Sequence, residues 1–401
     1  MKYSKVPFNY NFEILYFYRA CNSIIMQIRL LAFLILFLIT LFPVTAARPV
    51  LDNPANHPPR IIRTCCMFGY KVGIVVLPFI KLTEATGMDK IGSHHYLGKS
   101  SENNGVVYTR KGGFIDMGHL RDQADWTAYL YSLMQQERDQ NCIELDLGHE
   151  GGNKRLSITV SPDLSNQDLV LLAGRMAYDL SLWHEIATWY GVCSVPLVSE
   201  QFSSFSVEDS YSNLLGALLG MKAIQSELPY EEAMTKLIRE KLEELEVTQT
   251  EEETLRAMEA VRNIWWTREA HMPSTRVMIA RLTALYDTIN PMLIPDTGMV
   301  SFQPQPLIIP SVTVAGDSLV HFYDLSVKLN HKFPVKALFP DLTGKTITQK
   351  QFGILVRDID RELQTGFLIK SRAELASLRK AERSEYRKLK EFEKNHKPKR
   401  T

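Results

Sequence analysis

The sequence predicts an α+β fold that is mainly α-helical, with short strands near the N-terminus followed by a helical core. Segments between residues 71 and 160 are β-branched or alternate apolar with polar residues, and Gly, Asn or Pro bounds them. From residue 119 to residue 288, apolar residues recur mostly at helical spacing. The chain has 401 residues, of which 45% are hydrophobic, enough to bury a sizeable core.

The first part of the chain resembles a secretory signal. Met26 is followed by Arg29 and by an apolar run from Leu30 to Phe42, and small residues precede Ala46. These are the charged, apolar and cleavage regions of a signal peptide, so we expect translation to start at Met26 and cleavage to follow Ala46 or Ala47. The alternative is an uncleaved anchor, although the run is shorter than the roughly 20 residues of a spanning helix. We therefore expect an exported protein of the periplasm or cell envelope, with at least one disulfide among its four remaining cysteines.

The charge of the chain argues against a nucleic-acid binder. The sequence carries 46 Lys and Arg against 45 Asp and Glu, whereas nucleic-acid-binding domains are strongly basic. Only the tail from residue 370 to residue 401 is basic, with 12 Lys or Arg against 5 Glu. Such a tail is typical of a solvated helical extension, and peripheral contact with an anionic membrane is the alternative.

The elements follow one another in a readable order. Predicted strands cover Lys71 to Phe79, Gly105 to Arg110, Gly113 to Met117 and Arg155 to Val160. Predicted helices cover His119 to Glu137, Gln167 to Tyr190, Val207 to Ser226, Tyr230 to Glu246, Glu251 to Ala270, Thr275 to Thr288, Leu319 to Leu329 and Thr348 to Leu363.

These elements suggest five segments along the chain. They are a signal peptide (1–46), a Pro-rich leader (47–60), a main mixed domain with the helical core (61–290), a smaller C-terminal part after a Pro-rich passage (291–365), and the basic helical tail (366–401).

A histidine stands on the apolar stripe of the most clearly defined helix, Gln167 to Tyr190. His184 recurs in phase with the buried positions, and Ser165 with Asp168 forms a capping box at the helix start. Glu185 follows directly, so the pair forms the first half of the H-E-x-x-H zinc motif, in which the Glu activates water. Thr188 occupies the place of the second His, and a core histidine with a hydrogen-bond partner remains the alternative.

A second histidine, His119, stands at a predicted strand-to-helix junction. Asp122 lies one helical turn further on, and Asp116 lies three residues before His119. A histidine and a nearby carboxylate can act as metal ligand and orienting partner. Both acids also have a structural interpretation, Asp116 as an N-cap and Asp122 as a charge that favours the helix N-terminus.

The start of the helix predicted over Val207 to Ser226 supplies further carboxylates. Ser206 and Asp209 are spaced as a capping box, which would occupy Asp209 and leave Glu208 available as a metal ligand. Gly216 and Gly220 share one helical face and indicate close approach of another helix.

Several longer strings together resemble a known family. They are Arg63-Thr64-Cys65-Cys66-Met67-Phe68-Gly69, His94-His95-Tyr96-Leu97-Gly98, Gly113-Phe114-Ile115-Asp116, His119-Leu120-Arg121-Asp122 and Trp183-His184-Glu185. The chain is similar to the family of domain of unknown function 4056 over roughly residues 60 to 363. The resemblance implies a bacterial envelope protein and brings no catalytic residues.

Taken together, the residues predict a metal-dependent hydrolase of amide or ester bonds in a cell-envelope substrate. His119, His184 and Glu208 are the expected ligands of a zinc ion, Glu185 is the expected general base, and Asp116, Asp122 and Asp209 are expected to support the site. The alternative is a non-catalytic envelope protein that binds an unidentified partner and whose His and acidic residues pair with one another in the interior.

Overall fold

The structure, a computed structural model, describes residues 59, 72–73, 81–82, 85–193, 200–267, 277–283, 287–295 and 303–364. Within these ranges the chain forms seven α-helices and several small antiparallel sheets, which confirms a mainly helical α+β fold. The helices are α1 (Met117–Gln136), α2 (Asn166–Trp189), α3 (Asp209–Ile224), α4 (Tyr230–Glu244), α5 (Glu251–Ala260), α6 (Val335–Leu338) and α7 (Phe352–Gln364).

The strands are short except in one sheet. They are β1 (Val72–Gly73), β2 (Lys81–Leu82), β3 (Val106–Thr109), β4 (Gly113–Asp116), β5 (Cys142–His149), β6 (Gly152–Thr159), β7 (Trp266–Thr267), β8 (Val277–Met278), β9 (Thr288–Ile289), β10 (Leu307–Ile308), β11 (Tyr323–Leu329) and β12 (Thr346–Ile347). The strands β12, β11, β6 and β5 form a four-stranded sheet in that order, and the others pair as two-stranded units.

The three long helices α1, α2 and α3 pack against one another at the centre of the fold. The α2 helix starts with the predicted capping box, because Ser165 and Asp168 each bond the other's backbone N–H. Its apolar residues pack with the inner face of the four-stranded sheet and with α7 in one core cluster. A second cluster joins α1 and α3 to α4, so α1 lies between two apolar cores.

Glycines bring α3 into backbone contact with α1, as the sequence indicated. A Cβ added to Gly216 would lie 2.0 Å from the carbonyl oxygen of Leu120, and one added to Gly220 would lie 2.9 Å from Ala124 Cα. Only glycine permits this separation, which brings the N-terminal ends of both helices close together. Asp116 and His119 lie at the N-terminal end of α1 and Asp209 at that of α3.

The sequence assigned three segments to the wrong structure. The predicted helix Leu319 to Leu329 is instead a short 3₁₀ turn followed by β11, whose alternate residues Tyr323, Leu325, Val327 and Leu329 face the core. In the described part of the predicted helix Thr275 to Thr288, β8 is followed by irregular chain and β9 begins at Thr288. N–H groups of this segment bond carbonyls of Phe202, Phe205 and Trp265. The helix predicted to reach Ala270 ends at Ala260 and is followed by β7, which pairs with β8.

Most other predicted elements occur close to their expected positions, while β5 was missed. Of the predicted strand Lys71 to Phe79, the structure describes only Val72–Gly73, and the rest lies outside the described residues. The strands at Gly105–Arg110, Gly113–Met117 and Arg155–Val160 and the remaining helices are confirmed within a few residues at each end. In the sheet, β11 of the predicted C-terminal part pairs with β6 of the main part. Cys142 and Cys193 are free and exposed. Segment 1–46, Cys65 and Cys66, and the basic tail lie outside the described residues.

None of the helices in the described ranges is long and apolar enough to cross a lipid bilayer.

Candidate metal centre

Three ligand-type side chains converge where α1 and α3 begin. The metal-ligating atoms of Asp116, His119 and Asp209, which together form the Asp–His–Asp group, all lie within 4.8 Å of one another, and all three residues are buried. His119 Nδ1 lies 3.2 Å from Asp209 Oδ1 and 3.7 Å from Asp116 Oδ2. The side chain of His119 keeps 10% of its surface exposed, so the group is not completely sealed.

Asp116 has two separate roles because its two oxygens face different groups. Oδ1 accepts hydrogen bonds from the backbone N–H groups of Gly118 and His119 at 2.7 and 3.1 Å, which makes Asp116 the N-cap of α1 as predicted. Oδ2 is buried and has no hydrogen-bond donor among the described residues. An unsatisfied buried carboxylate oxygen is costly, and it is available to a cation.

The loop before α3 holds two carboxylates side by side through one serine. The N–H of Ser206 donates to Asp209 Oδ2 at 2.8 Å, and its hydroxyl donates to Glu208 Oε2 at 2.6 Å. The predicted capping box is therefore only half formed, since the Ser206 hydroxyl binds Glu208 and the α3 helix begins at Asp209. Glu208 is fully buried, and its Oε1 has no hydrogen-bond donor in the described part of the chain.

Glu185 accepts a hydrogen bond from the backbone of the same loop. Its Oε2 accepts the N–H of Phe205 at 2.7 Å, and Phe205 is fully buried with a φ of 53°. A bulky residue in this left-handed region stores strain, which is found most often at functional sites. The carboxylate of Glu185 thereby helps to fix the segment that carries Ser206, Glu208 and Asp209.

Burial raises the pKa of three carboxyls in this neighbourhood, those of Glu185, Glu208 and Asp209. It raises the pKa of Glu185 to about 8, with a further contribution from the charge of Asp209. It raises the pKa of Glu208 to about 7 and that of Asp209 to about 6, and the His119 side chain counteracts part of both shifts. Desolvation disfavours the ionised form of a carboxyl, and a nearby cation would reverse the effect.

Arg281 is a cation of this neighbourhood that the sequence did not reveal. Its guanidinium donates to the backbone carbonyls of Phe202, at 2.8 Å, and Ser204, and it lies 6.0 Å from the centre of the Trp189 ring. Burial lowers the pKa of Arg281 to about 10, while the charges of Asp209, Glu185 and Glu208 act in the opposite direction. Its segment was predicted as a helix, and that prediction gave no reason to expect Arg281 near the site.

His184 lies apart from the Asp–His–Asp group and has a carboxylate of its own. His184 Nδ1 lies 2.6 Å from Glu150 Oε1, and Lys154 Nζ lies 2.5 Å from the other oxygen of Glu150. Glu150 follows β5, the strand that the sequence did not predict. Thr188, at the place of the second zincin histidine, donates to backbone carbonyls of its own helix. The assignment of His184 as a metal ligand stays a prediction.

The His184–Glu150 pair predicts a specific pH dependence of stability. Its hydrogen bond and charge raise the pKa of His184 to about 9 against the opposing effect of burial, and Lys154 and His184 lower that of Glu150 to about 2. The His184 contribution is complete below its ordinary pKa of 6.5 and is lost as the pH rises through 9. The Glu150 contribution is complete above 4.5 and is lost as the pH falls through 2.

Glu150→Gln should therefore lower the free energy of unfolding by roughly 2 kcal/mol between pH 5 and 6.5, and by less at pH 9.5, where His184 is neutral and only Lys154 still pairs with Glu150. Urea unfolding at three pH values measures the difference, with Glu252→Gln, at an exposed ion pair, as the control. If the variant and the wild type differed by the same free energy of unfolding at all three pH values, the proposed interaction between His184 and Glu150 would be contradicted.

The remaining predicted residue, Asp122, is buried on α1 but does not belong to the Asp–His–Asp group. Asp116 and Asp209, which the sequence placed in supporting roles, both lie within ion-pair distance of His119 in the described part of the chain. No sequence signal distinguished them from ordinary capping residues.

The separations within the Asp–His–Asp group suit a shared cation. Zinc binds imidazole nitrogen and carboxylate oxygen at about 2.0–2.2 Å, so two ligand atoms on one tetrahedral ion lie about 3.4 Å apart. The two contacts of His119 Nδ1, at 3.2 and 3.7 Å, lie on either side of that value. The unsatisfied Oδ2 of Asp116 points to the same conclusion.

A family model described as "Protein of unknown function (DUF4056)" matches residues 53–295, more than half of the chain. This range includes all the residues of the Asp–His–Asp group. Neither the curated proteins nor the solved structures contain a match.

Proposed function

Because the chain belongs to the DUF4056 family, whose function is unknown, we propose a function on the evidence of the site alone. The chain is a metal-dependent hydrolase whose divalent cation is held by Asp116, His119 and Asp209. The observation that supports this most strongly is the convergence of the three buried ligand atoms within 4.8 Å of one another.

The chemistry of these ligands narrows the choice of metal. One imidazole with two carboxylates offers nitrogen and oxygen and no sulfur, a set that suits zinc or manganese. Zinc was the metal expected from the sequence. A bound divalent cation would polarise a carbonyl and lower the pKa of a water, which are the requirements for hydrolysis of an amide or ester.

Glu185 is the candidate general base of this site. The charges of Asp209 and His119 affect its pKa, so it lies within electrostatic range of the metal ligands. A pKa of about 8 suits a group that accepts a proton from water near neutral pH. One of its oxygens is held by the Phe205 N–H, which fixes the orientation of the carboxyl group.

A second function, a purely structural metal site, is supported by the burial of the group. Asp116, His119 and Asp209 expose 0%, 8% and 3% of their surfaces. Structural sites are fully coordinated by the protein, whereas catalytic sites keep one position for water or substrate. The two functions therefore differ in whether the cation has an open position.

The open position can be tested without knowing the substrate. Cobalt(II) replaces zinc and reports its ligands in the visible spectrum, and acetohydroxamate binds a metal with an open position. We expect acetohydroxamate to change the spectrum of the cobalt-loaded wild type, and we expect Asp209→Asn to bind no cobalt. Glu185→Gln should bind both cobalt and acetohydroxamate, because Glu185 is not a ligand.

Cobalt binding without a response to acetohydroxamate would show a closed structural site and would reject the hydrolase. Loss of cobalt from Glu185→Gln would reject its role as a base. The control Glu252→Gln, at an exposed position far along the chain on α5, should behave as the wild type.

The location proposed for this activity is the cell envelope, on the basis of the signal-like segment from Met26 to Ala46. The mature protein should begin at Ala47 or Arg48. Sequencing the N-terminus of protein recovered from cells measures this directly. An intact Met1 or Met26 on protein from the membrane fraction would show a retained anchor instead.

A further inference from the structure

Within the described part of the chain, the acidic side chains of the candidate metal centre outnumber the cations with which ion pairs are seen. Asp116, Glu185, Glu208 and Asp209 are all at least 95% buried. Among the described residues, the ion pairs of this set all involve His119, which contacts Asp116 and Asp209. Arg281 uses its guanidinium on backbone carbonyls and makes no ion pair with the four acids in the described ranges.

One divalent cation does not compensate all four of these carboxylates. A cation on Asp116, His119 and Asp209 compensates the charge of two carboxylates. Glu208 would remain buried, with one oxygen bonded to Ser206 and the other without a donor among the described residues. Burying such a group in its ionised form is costly unless it is paired with a charge or binds a metal.

The position of Glu208 makes it a neighbour of the first cation site. Ser206 donates its hydroxyl to Glu208 and its backbone N–H to Asp209, so one residue holds both carboxylates. Each of the two acids keeps a second oxygen: Asp209 Oδ1 faces His119, and Glu208 Oε1 is buried and unsatisfied. Two adjacent carboxylates held in this way can share a pair of cations.

We propose that the centre binds two divalent cations, the first on Asp116, His119 and Asp209, and the second on Glu208 with the Asp209 carboxylate as the bridge. This inference rests on the proposed function, because it extends the same metal centre. Two-metal hydrolytic sites hold their ions about 3.5–4 Å apart, a spacing that a bridging carboxylate can span. Two ions would together orient the attacking water and the substrate oxygen.

Metal stoichiometry tests the proposal. Untagged protein is loaded with manganese(II), freed of excess by gel filtration, and analysed by mass spectrometry of the metal against protein concentration. We expect two manganese ions per wild-type chain and one per chain of Glu208→Gln. The matched control Glu252→Gln, an exposed carboxylate on α5, should keep two.

Electron paramagnetic resonance of the loaded wild type gives a second measurement that needs no variant. Two manganese ions that share a carboxylate couple magnetically, so we expect a broadened multiline signal instead of the six-line signal of an isolated ion. In Glu208→Gln the six-line signal should return.

The outcomes separate this inference from the proposed function. One manganese ion per wild-type chain with a six-line signal would overturn the second site and leave the first intact. No bound manganese or zinc in the wild type would overturn both. Two uncoupled ions that persist in Glu208→Gln would place the second ion elsewhere and overturn the assignment to Glu208.

Discussion

Replacing Gly216 by alanine should destabilise the fold by about 3 kcal/mol or more. The new methyl group would lie 2.0 Å from the carbonyl oxygen of Leu120 and 2.7 Å from its carbon, and both belong to the α1 backbone. A backbone cannot move aside as a flexible side chain can, so α1 and α3 would have to separate. His119 lies on α1 and Asp209 on α3, so the separation should also weaken metal binding.

Gly353→Ala is the matched control, because Gly353 also lies within a helix. The nearest atom to its added methyl group is Arg357 Nη1 at 3.6 Å, an ordinary contact with a flexible side chain. Alanine is the better helix former, so this variant should be more stable by about 0.5–1 kcal/mol. Urea unfolding of both variants measures the contrast. Equal stability of Gly216→Ala and the wild type would contradict the close packing of α1 and α3.

The second large effect is the loss of metal-dependent stabilisation in Asp209→Asn. A ligand that binds only the folded state, at a thousand times its dissociation constant, stabilises by about 4 kcal/mol, equivalent to roughly 5 °C in Tm. We expect zinc or manganese to raise the Tm of the wild type by about this amount and to leave the Tm of Asp209→Asn unchanged, because asparagine lacks the negative charge of the aspartate ligand.

Without metal, Asp209→Asn should be as stable as the wild type or more stable. Burial raises the pKa of Asp209 to about 6, so the stability of the wild type falls as the pH rises towards that value and the carboxyl ionises. The amide oxygen of Asn can still accept the Ser206 N–H and carries no charge. Thermal unfolding at pH 7.5 with chelator or with metal measures both states, with exposed Asp163→Asn as the control. Equal metal stabilisation in both proteins would exclude Asp209 as a ligand.

Local signals made much of the helical core predictable. The capping box of Ser165 and Asp168 and the long apolar stripe after it located α2, and Asp116 was identified as a possible N-cap. The strand β11 was missed because apolar residues from Leu319 to Leu329 fit both a helical and an alternating pattern. The choice depends on pairing with β6, which is distant in sequence.

The structure brings together some of the residues that the sequence singled out as candidates. His119 Nδ1 and Asp209 Oδ1 lie 3.2 Å apart, and their roles in a metal site stay a prediction. His184 was favoured because of Glu185 beside it, yet its nearest carboxylate is Glu150 in a turn after an unpredicted strand. Which carboxylate faces which histidine depends on tertiary packing, and spacing along one helix does not encode it.

The most direct test of the metal centre is anomalous diffraction from a crystal of zinc-loaded protein at the zinc absorption edge. We predict an anomalous peak within about 2.0–2.3 Å of His119 Nδ1 and of carboxylate oxygens of Asp116 and Asp209. A peak at His184 and Glu150, or no peak anywhere between α1 and α3 in fully loaded crystals, would contradict the assignment of this group as a metal centre.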